Sequence, residues 1–154
     1  MQIREVTPQI EMVYRNLAQA YEAEFSHIMG KKPDENGLFP LDTELGGPIV
    51  GYLCYVDGVP AGHAAIEHGA GGYFEICDFY VIPYFRGKQV GRQFASTLFE
   101  QLRGAWEIKQ VQGAHHASAF WRSVVNEYTA GHFIDDEYQC PRWGWVTRQR
   151  FQHG

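Results

Sequence analysis

The run from Asp78 to Arg92, Asp-Phe-Tyr-Val-Ile-Pro-Tyr-Phe-Arg-Gly-Lys-Gln-Val-Gly-Arg, carries the chemistry most open to reading in this chain. It reads as a buried strand, a tight basic turn and the opening of an amphipathic helix. Gly87 and Gly91 have no Cβ, so backbone can approach a ligand closely there. Arg86, Lys88 and Arg92 bring cations to the same point. The first amides of a helix lack intrahelical acceptors and lie at the positive end of its dipole, so such a turn suits a pyrophosphate. The phosphates would accept N–H bonds from the stretch Gly87, Lys88, Gln89, Val90, Gly91 and Arg92, and the cations would meet further oxygens. Two other phosphate loops are excluded, because neither the G-x-x-x-x-G-K-S/T spacing nor G-x-G-x-x-G occurs.

Metal and disulfide chemistry find no pattern. The histidines show no H-E-x-x-H spacing, and Cys54, Cys77 and Cys140 lie far apart with no C-x-x-C pair. Cys54 and Cys77 sit in apolar runs and read as buried thiols of a reducing compartment.

The elements that must position the turn follow from periodicity. Ile3 to Val6 reads as a first strand. Thr7 suits an N-cap and Pro8 the first helical position. Ile10, Val13, Tyr14, Leu17, Tyr21 and Phe25 then recur at helical spacing up to Gly30. Lys31 to Pro48, rich in Gly, Pro and Asp, reads as a long ordered loop with room for one helical turn, and long loops of this kind are often functional. Val50–Val56 and Ala61–Glu67 read as strands around an Asp57-Gly58 hairpin turn. Tyr73–Ile82 is the strongest strand. A helix from Val90 closes at Gly104, and a strand over Ala105–Val111 completes a βαβ unit with a parallel pair. Ala117 to Tyr128 reads as a third helix, and His132–Glu137 with Trp143–Phe151 as a closing hairpin. The fold class expected is α/β: one domain over residues 1–154, a mixed sheet with helices on its faces.

With 154 residues the chain can bury a real core as a single domain. Its net charge of −5 argues against a nucleic-acid partner and fits solubility, with a mild bias towards cationic substrates. The first residues show no signal peptide, and no apolar run reaches the ~20 residues of a membrane span. The expectation is a cytoplasmic protein without a membrane partner.

The turn also carries a resemblance. Val81-Ile82-Pro83-Tyr84-Phe85-Arg86-Gly87-Lys88-Gln89-Val90-Gly91 resembles the acetyl-CoA signature of the GNAT superfamily of N-acyltransferases, in which a strand ends in V-x-P-x-Y-R-G and an R-x-x-G-x-G/A loop opens a helix. Arg86 and Gly91 match, and Gln89 stands where the family usually has glycine. Trp106-Glu107-Ile108 is similar to the family's next strand, and Ala117-Ser118-Ala119-Phe120-Trp121-Arg122 to its A-x-x-F-Y/W segment. Ala114 stands where many members carry a CoA-contacting asparagine. The string from Trp121 to Thr129 resembles a bacterial subgroup of acetyltransferases known mostly from sequence. The resemblance covers nearly the whole chain and implies a GNAT fold: a mixed central sheet with helices on both faces and a splayed parallel strand pair. The pantetheine arm of acetyl-CoA, the co-substrate, would lie in that wedge and pair with backbone near Tyr80 and Val81. No metal is implied.

The implied activity is transfer of an acetyl group to a primary amine by direct attack, with no covalent enzyme intermediate. Such a reaction needs proximity, a base for the amine proton and an acid for the leaving thiolate. In family members with a glutamate six residues before the strand-ending valine, that glutamate is the base. Glu75 holds this position and is the first candidate, with Asp78 second. Strand alternation sets the two on opposite faces unless a bulge intervenes. The usual thiolate acid is a tyrosine at a position occupied here by Trp121, so Tyr128 is named, with Tyr80 and Tyr84 as alternatives. The family places its acceptor over the first helix and following loop, where Glu22, Glu24, Asp34, Glu35, Asp42 and Glu44 accompany Tyr21, Phe25 and Phe39. An acidic, aromatic mouth suits a small cationic amine. The alternatives are a degenerate acyl-CoA-binding or sensing module and a protein lysine or N-terminal acetyltransferase. Family relatives often dimerise through their C-terminal strands, so a homodimer is a further expectation.

Overall fold

The computed structural model of the chain describes residues 1–153. Seven strands and three α-helices alternate as β1 (Gln2–Glu5), α1 (Glu11–Met29), β2 (Ile49–Val56), β3 (Val59–Gly69), β4 (Tyr73–Val81), α2 (Val90–Gln101), β5 (Gly104–Val111), α3 (His115–Thr129), β6 (Ile134–Cys140) and β7 (Gly144–His153). The strands form a mixed sheet in the order β1-β2-β3-β4-β5-β7-β6. β4 and β5 are parallel, in register from Tyr73↔Ala105 to Ile76↔Ile108. Both strands continue past this ladder.

Two compact units divide the chain: Met1–Glu67 with Cys77–Gly91, and His68–Ile76 with the residues from Arg92 onward. In the first unit, Ile10 just before α1 and Tyr14 and Ala18 on it, at four-residue spacing, pack against Leu53 of β2 and Ala65 of β3, with Val13, Leu17, Leu41, Leu45 and Cys77 packed at the margin. α1 begins later than the sequence suggests. The Thr7 carbonyl accepts the Ile10 amide at 3.0 Å, so Thr7 and Pro8 close a separate turn, and the helix starts at Glu11 without a side-chain cap. It ends as expected at Gly30, which is left-handed (φ 65°), and the Lys31 amide bonds back to Ser26 O. Asp57 and Gly58 both take positive φ, 51° and 77°, the pattern of a tight hairpin turn between β2 and β3.

In the second unit, Phe99 of α2 and Phe151 of β7 pack edge-on at 4.9 Å, Phe99 meets Trp106 of β5 at the same distance, and Phe74 stacks on Trp106 at 5.1 Å. Burying each of these side chains contributes about 2–3 kcal/mol, so this aromatic stack anchors the ladder between β4 and β5. Glycine is required at Gly62 on β3, where a Cβ would run into the Tyr80 carbonyl oxygen of β4.

Candidate active site

The basic turn is built in three steps. The Ile82 amide bonds to Ala61 O at 2.8 Å, which fixes where β4 ends. Pro83 then opens a single 3₁₀ turn, Pro83–Phe85, at a position where its missing N–H costs nothing. Gly87 (φ 75°) and Gln89 (φ 65°) turn the chain through left-handed backbone into α2. The cations do not simply line the turn. Arg86 Nε donates to Val81 O and its Nη2 to Glu24 Oε1, both at 2.9 Å, with the guanidinium 5.5 Å from the Tyr80 ring. Lys88 Nζ lies 4.4 Å over the exposed Tyr84 ring. Arg92, at the start of α2, pairs with Glu127 and donates to Ser123 Oγ of α3. Arg86 thus braces the turn to the strand end and to α1.

Asp78 is buried, and the Thr43 hydroxyl donates to its Oδ1 at 3.1 Å. Burial pushes the carboxyl up to about 7. The Thr43 bond and Lys31 pull the other way, and Glu22 and Asp42 add to the rise. The same field reaches α1: burial first, then Asp78, raise the phenols of Tyr14 and Tyr21. Cys77 packs against the Tyr14 cluster, and the burial of β4 alternates from Tyr73 to Tyr80, with Glu75 part-buried and Asp78 buried, as regular strand alternation expects. His63 of β3 is wholly buried and ringed by Tyr14 (4.8 Å), Tyr21 (5.5 Å) and Tyr80 (6.0 Å). Neither its ring nitrogens nor the Tyr14 hydroxyl meets a hydrogen-bond partner, and burial lowers the imidazole to about 4.

In the second unit, Glu75 is already engaged. It accepts from the Tyr73 hydroxyl at 3.0 Å and pairs with Lys109 at 3.4 Å, within a network in which Tyr73 also bonds to Glu107 and Arg148 joins Glu107 to Asp136. The Tyr128 hydroxyl donates to Glu100 of α2 at 2.6 Å, and its ring packs on Phe151 and His153. Those two residues pair with Trp106 and Gly104 at the start of β5. Tyr128 thus sits by the first residues of β5, whereas the ladder with β4 ends at Ile108, and the structure does not bring it to that end. Trp121, at the expected acid position, is buried beside Phe120 and Phe99.

The family model described as the acetyltransferase (GNAT) family matches residues 10–124, most of the chain. The chain belongs to the GNAT family. It is accordingly an acyl-CoA-dependent N-acyltransferase. No curated protein matches it in sequence. Solved structures similar in fold include an aminoglycoside 6'-acetyltransferase type Ii, with a TM-score of 0.69, 11% identity and coverage of 99% of this chain and 97% of that one. The ribosomal-protein-S18-alanine N-acetyltransferase of Escherichia coli aligns at 0.66 and 11% identity, covering 99% and 94%. A Bacillus subtilis acetyltransferase in complex with CoA aligns at 0.59 and 12%, covering 98% and 97%.

In this GNAT chain Gln89 holds the left-handed backbone that the family's usual glycine would supply, so the turn keeps its course despite the substitution. The acidic residues around α1 form less of a cation-binding mouth than their number suggests. Glu22 and Asp42 share Lys31, Glu24 takes Arg86, Glu44 lies 3.5 Å from Arg15, and Asp34 accepts the Asn36 and Leu38 amides of its own turn. Sequence reasoning did not find Thr43 as the partner of Asp78. The available signal was Glu22, a carboxylate four residues after Ala18 on the buried stripe of α1, where only a paired charge is tolerated. Among the described residues no helix is long and apolar enough to cross a membrane.

Proposed function

We propose that the chain moves the acetyl group of acetyl-CoA to a primary amine of a small cationic molecule, with Asp78 taking the amine proton. The observation that carries this reading is Asp78 itself: a buried carboxyl, oriented by one hydroxyl and raised to about 7, is poised to accept a proton near neutral pH. Glu75, tied to Tyr73 and Lys109, is the second candidate. The turn fits the co-substrate because left-handed Gly87 and Gln89 direct the backbone of 87–92 into the N-terminus of α2, and the Arg86 brace holds the strand end beneath it. When bound, acetyl-CoA supplies the activated acyl carbon and the thiolate leaving group. Backbone near Tyr80 and Val81 orients the pantetheine arm, amides of Gly87 to Arg92 hold phosphate oxygens, and Asp78 becomes protonated as the amine attacks. The C–N bond forms as the C–S bond breaks, CoA would leave as the thiolate and take its proton from solvent, and Asp78 returns the amine proton to solvent.

A second reading, an acyl-CoA-binding module without turnover, is favoured by Trp121, which cannot protonate a thiolate, and by Tyr128, whose hydroxyl is committed to Glu100. The deciding experiment pairs calorimetric titration of acetyl-CoA with thiol release from a panel of polyamines, amino sugars, lysine and peptides with free N-termini. Turnover of a small cationic amine is expected, with Asp78→Asn lowering kcat about 10²- to 10⁴-fold and leaving acetyl-CoA affinity unchanged. Glu75→Gln should retain most of the activity. Binding of acetyl-CoA without thiol release from any amine would establish the module, and turnover confined to peptides would establish a protein substrate.

A further inference from the structure

We propose that Lys31 is a positioning residue for this site: its ammonium clamps residues 40–42 onto Glu22 of α1 and thereby holds the Thr43 hydroxyl on Asp78. The inference rests on the reading of Asp78 as the proton acceptor.

The clamp has a definite construction. Lys31 Nζ donates to Glu22 Oε1 at 2.8 Å, to Pro40 O at 2.7 Å and to Asp42 Oδ1 at 3.0 Å. The other oxygen of Glu22 accepts the Asp42 amide at 2.9 Å. Three residues earlier on α1, the Gln19 side chain brackets Phe39, donating to its carbonyl at 2.9 Å and accepting from its amide at 2.8 Å. Gln19 and Glu22 share one helix face at this spacing, so Phe39, Pro40 and Asp42 are pinned in succession along a single ridge. The next residue is Thr43, whose hydroxyl reaches Asp78. Glu22 is 2% exposed, and without Lys31 its charge would lose its ion-pair partner, so removing the ammonium loosens the hold on Pro40 and Asp42 while Gln19 still brackets Phe39.

The consequence for Asp78 has a sign. The groups around it are Glu22, Tyr14 and Tyr21 on α1, Lys31, Asp42 and Thr43 on the connecting segment, and Cys77 beside it on β4; His63 of β3 packs on the same tyrosines and is uncharged at neutral pH. Thr43 and Lys31 favour the carboxylate, and Glu22 and Asp42 oppose it. Losing Lys31 removes both favourable influences together.

The test measures Asp78 directly. Carboxyl ¹³C titration by NMR of the full chain, with the resonance assigned by its loss in Asp78→Asn, gives the midpoint in wild type, Lys31→Met, Lys31→Arg and Thr43→Val. Lys31→Met should move the midpoint upward by about one pH unit, the equivalent of a tenfold change in proton affinity, and Thr43→Val should move it the same way by less. Lys31→Arg should restore most of the wild-type value. The acid limb of kcat/KM should follow the same order, with acetyl-CoA affinity within about twofold of wild type. If Lys31→Met melts at low temperature, Thr43→Val, which leaves the clamp intact, decides whether the hydroxyl governs Asp78. An unmoved midpoint in folded Lys31→Met, or in Thr43→Val, would overturn the inference even if activity falls, because the segment would then be a structural support. Full activity in Asp78→Asn with shifted midpoints in the others would instead overturn the base assignment and leave the clamp standing.

Discussion

Gln89 shows how one side chain can depart from a family pattern without changing the local backbone. At φ 65° it occupies a region where a residue with a Cβ is about 1–2 kcal/mol less favourable than glycine. Gln89→Gly would relieve that strain, while the unfolded chain would gain freedom worth about 0.4–1 kcal/mol. The expected net result is stabilisation by about 0.5 kcal/mol, read as a small rise in the urea midpoint with unchanged slope, together with equal or slightly tighter acetyl-CoA binding by calorimetry. A lowered midpoint would mean that the Gln89 side chain contributes contacts outweighing its backbone strain. Arg86 illustrates the opposite relation between pattern and role. It matches the family signature, and its Nε and Nη2 go to Val81 O and Glu24, so it also ties the strand end to α1.

At the level of elements, the strands and helices were legible because apolar residues recur at periods of 2 and 3.6, and the turns because Asp57-Gly58 and Gly30 need positive φ. The start of α1 was displaced because a short backbone bond, Ile10 to Thr7, is invisible to periodicity. The acidic residues of α1 and the loop after it read as a mouth because their partners are chosen by tertiary approach: Lys31 is nine residues from Glu22, and Arg86 lies in a different part of the chain from Glu24. Tyr128 was placed correctly on a helix, but spacing does not reveal which end of β5 that helix turn meets. The junction of β3 and β4 likewise depends on a contact that no local pattern announces. Gly62 leaves just enough room for the Tyr80 carbonyl, and backbone cannot swing aside as a flexible side chain can. Gly62→Ala should therefore cost about 1–3 kcal/mol, as overpacking does, and should weaken acetyl-CoA binding by displacing the end of β4 that leads into the turn. Thermal melting and calorimetry on the same sample test both halves. An unchanged Tm would show that β3 and β4 can separate there at no cost.

For the molecule as a whole, two buried groups in the first unit give the stability opposite pH dependences. His63 titrates near 4 when folded and near 6.5 when unfolded, so between those values the unfolded chain holds the extra proton and stability rises with pH. Asp78 titrates near 7 when folded and near 3.8 when unfolded, so over that window the folded chain holds the extra proton and stability falls with pH. At about 1.4 kcal/mol per unit, each slope amounts to roughly 3–4 kcal/mol across its window, and between pH 4 and 6.5 they nearly cancel. Wild-type stability should thus be almost flat there as far as these two groups decide it. His63→Phe keeps a ring among Tyr14, Tyr21 and Tyr80 and removes two ring nitrogens without partners, so its absolute stability can shift either way with packing. Its slope is the diagnostic, because packing does not titrate: stability should fall as pH rises from 4 towards 7. Asp78→Asn removes the other slope, so that variant should lose stability as pH drops from 6.5 to 4. Urea unfolding at half-unit steps from pH 4.5 to 7 measures all three curves. Parallel curves in the three proteins would mean that neither group holds the protonation state its burial dictates, and the assignment of Asp78 as a proton acceptor near neutral pH would fall with them.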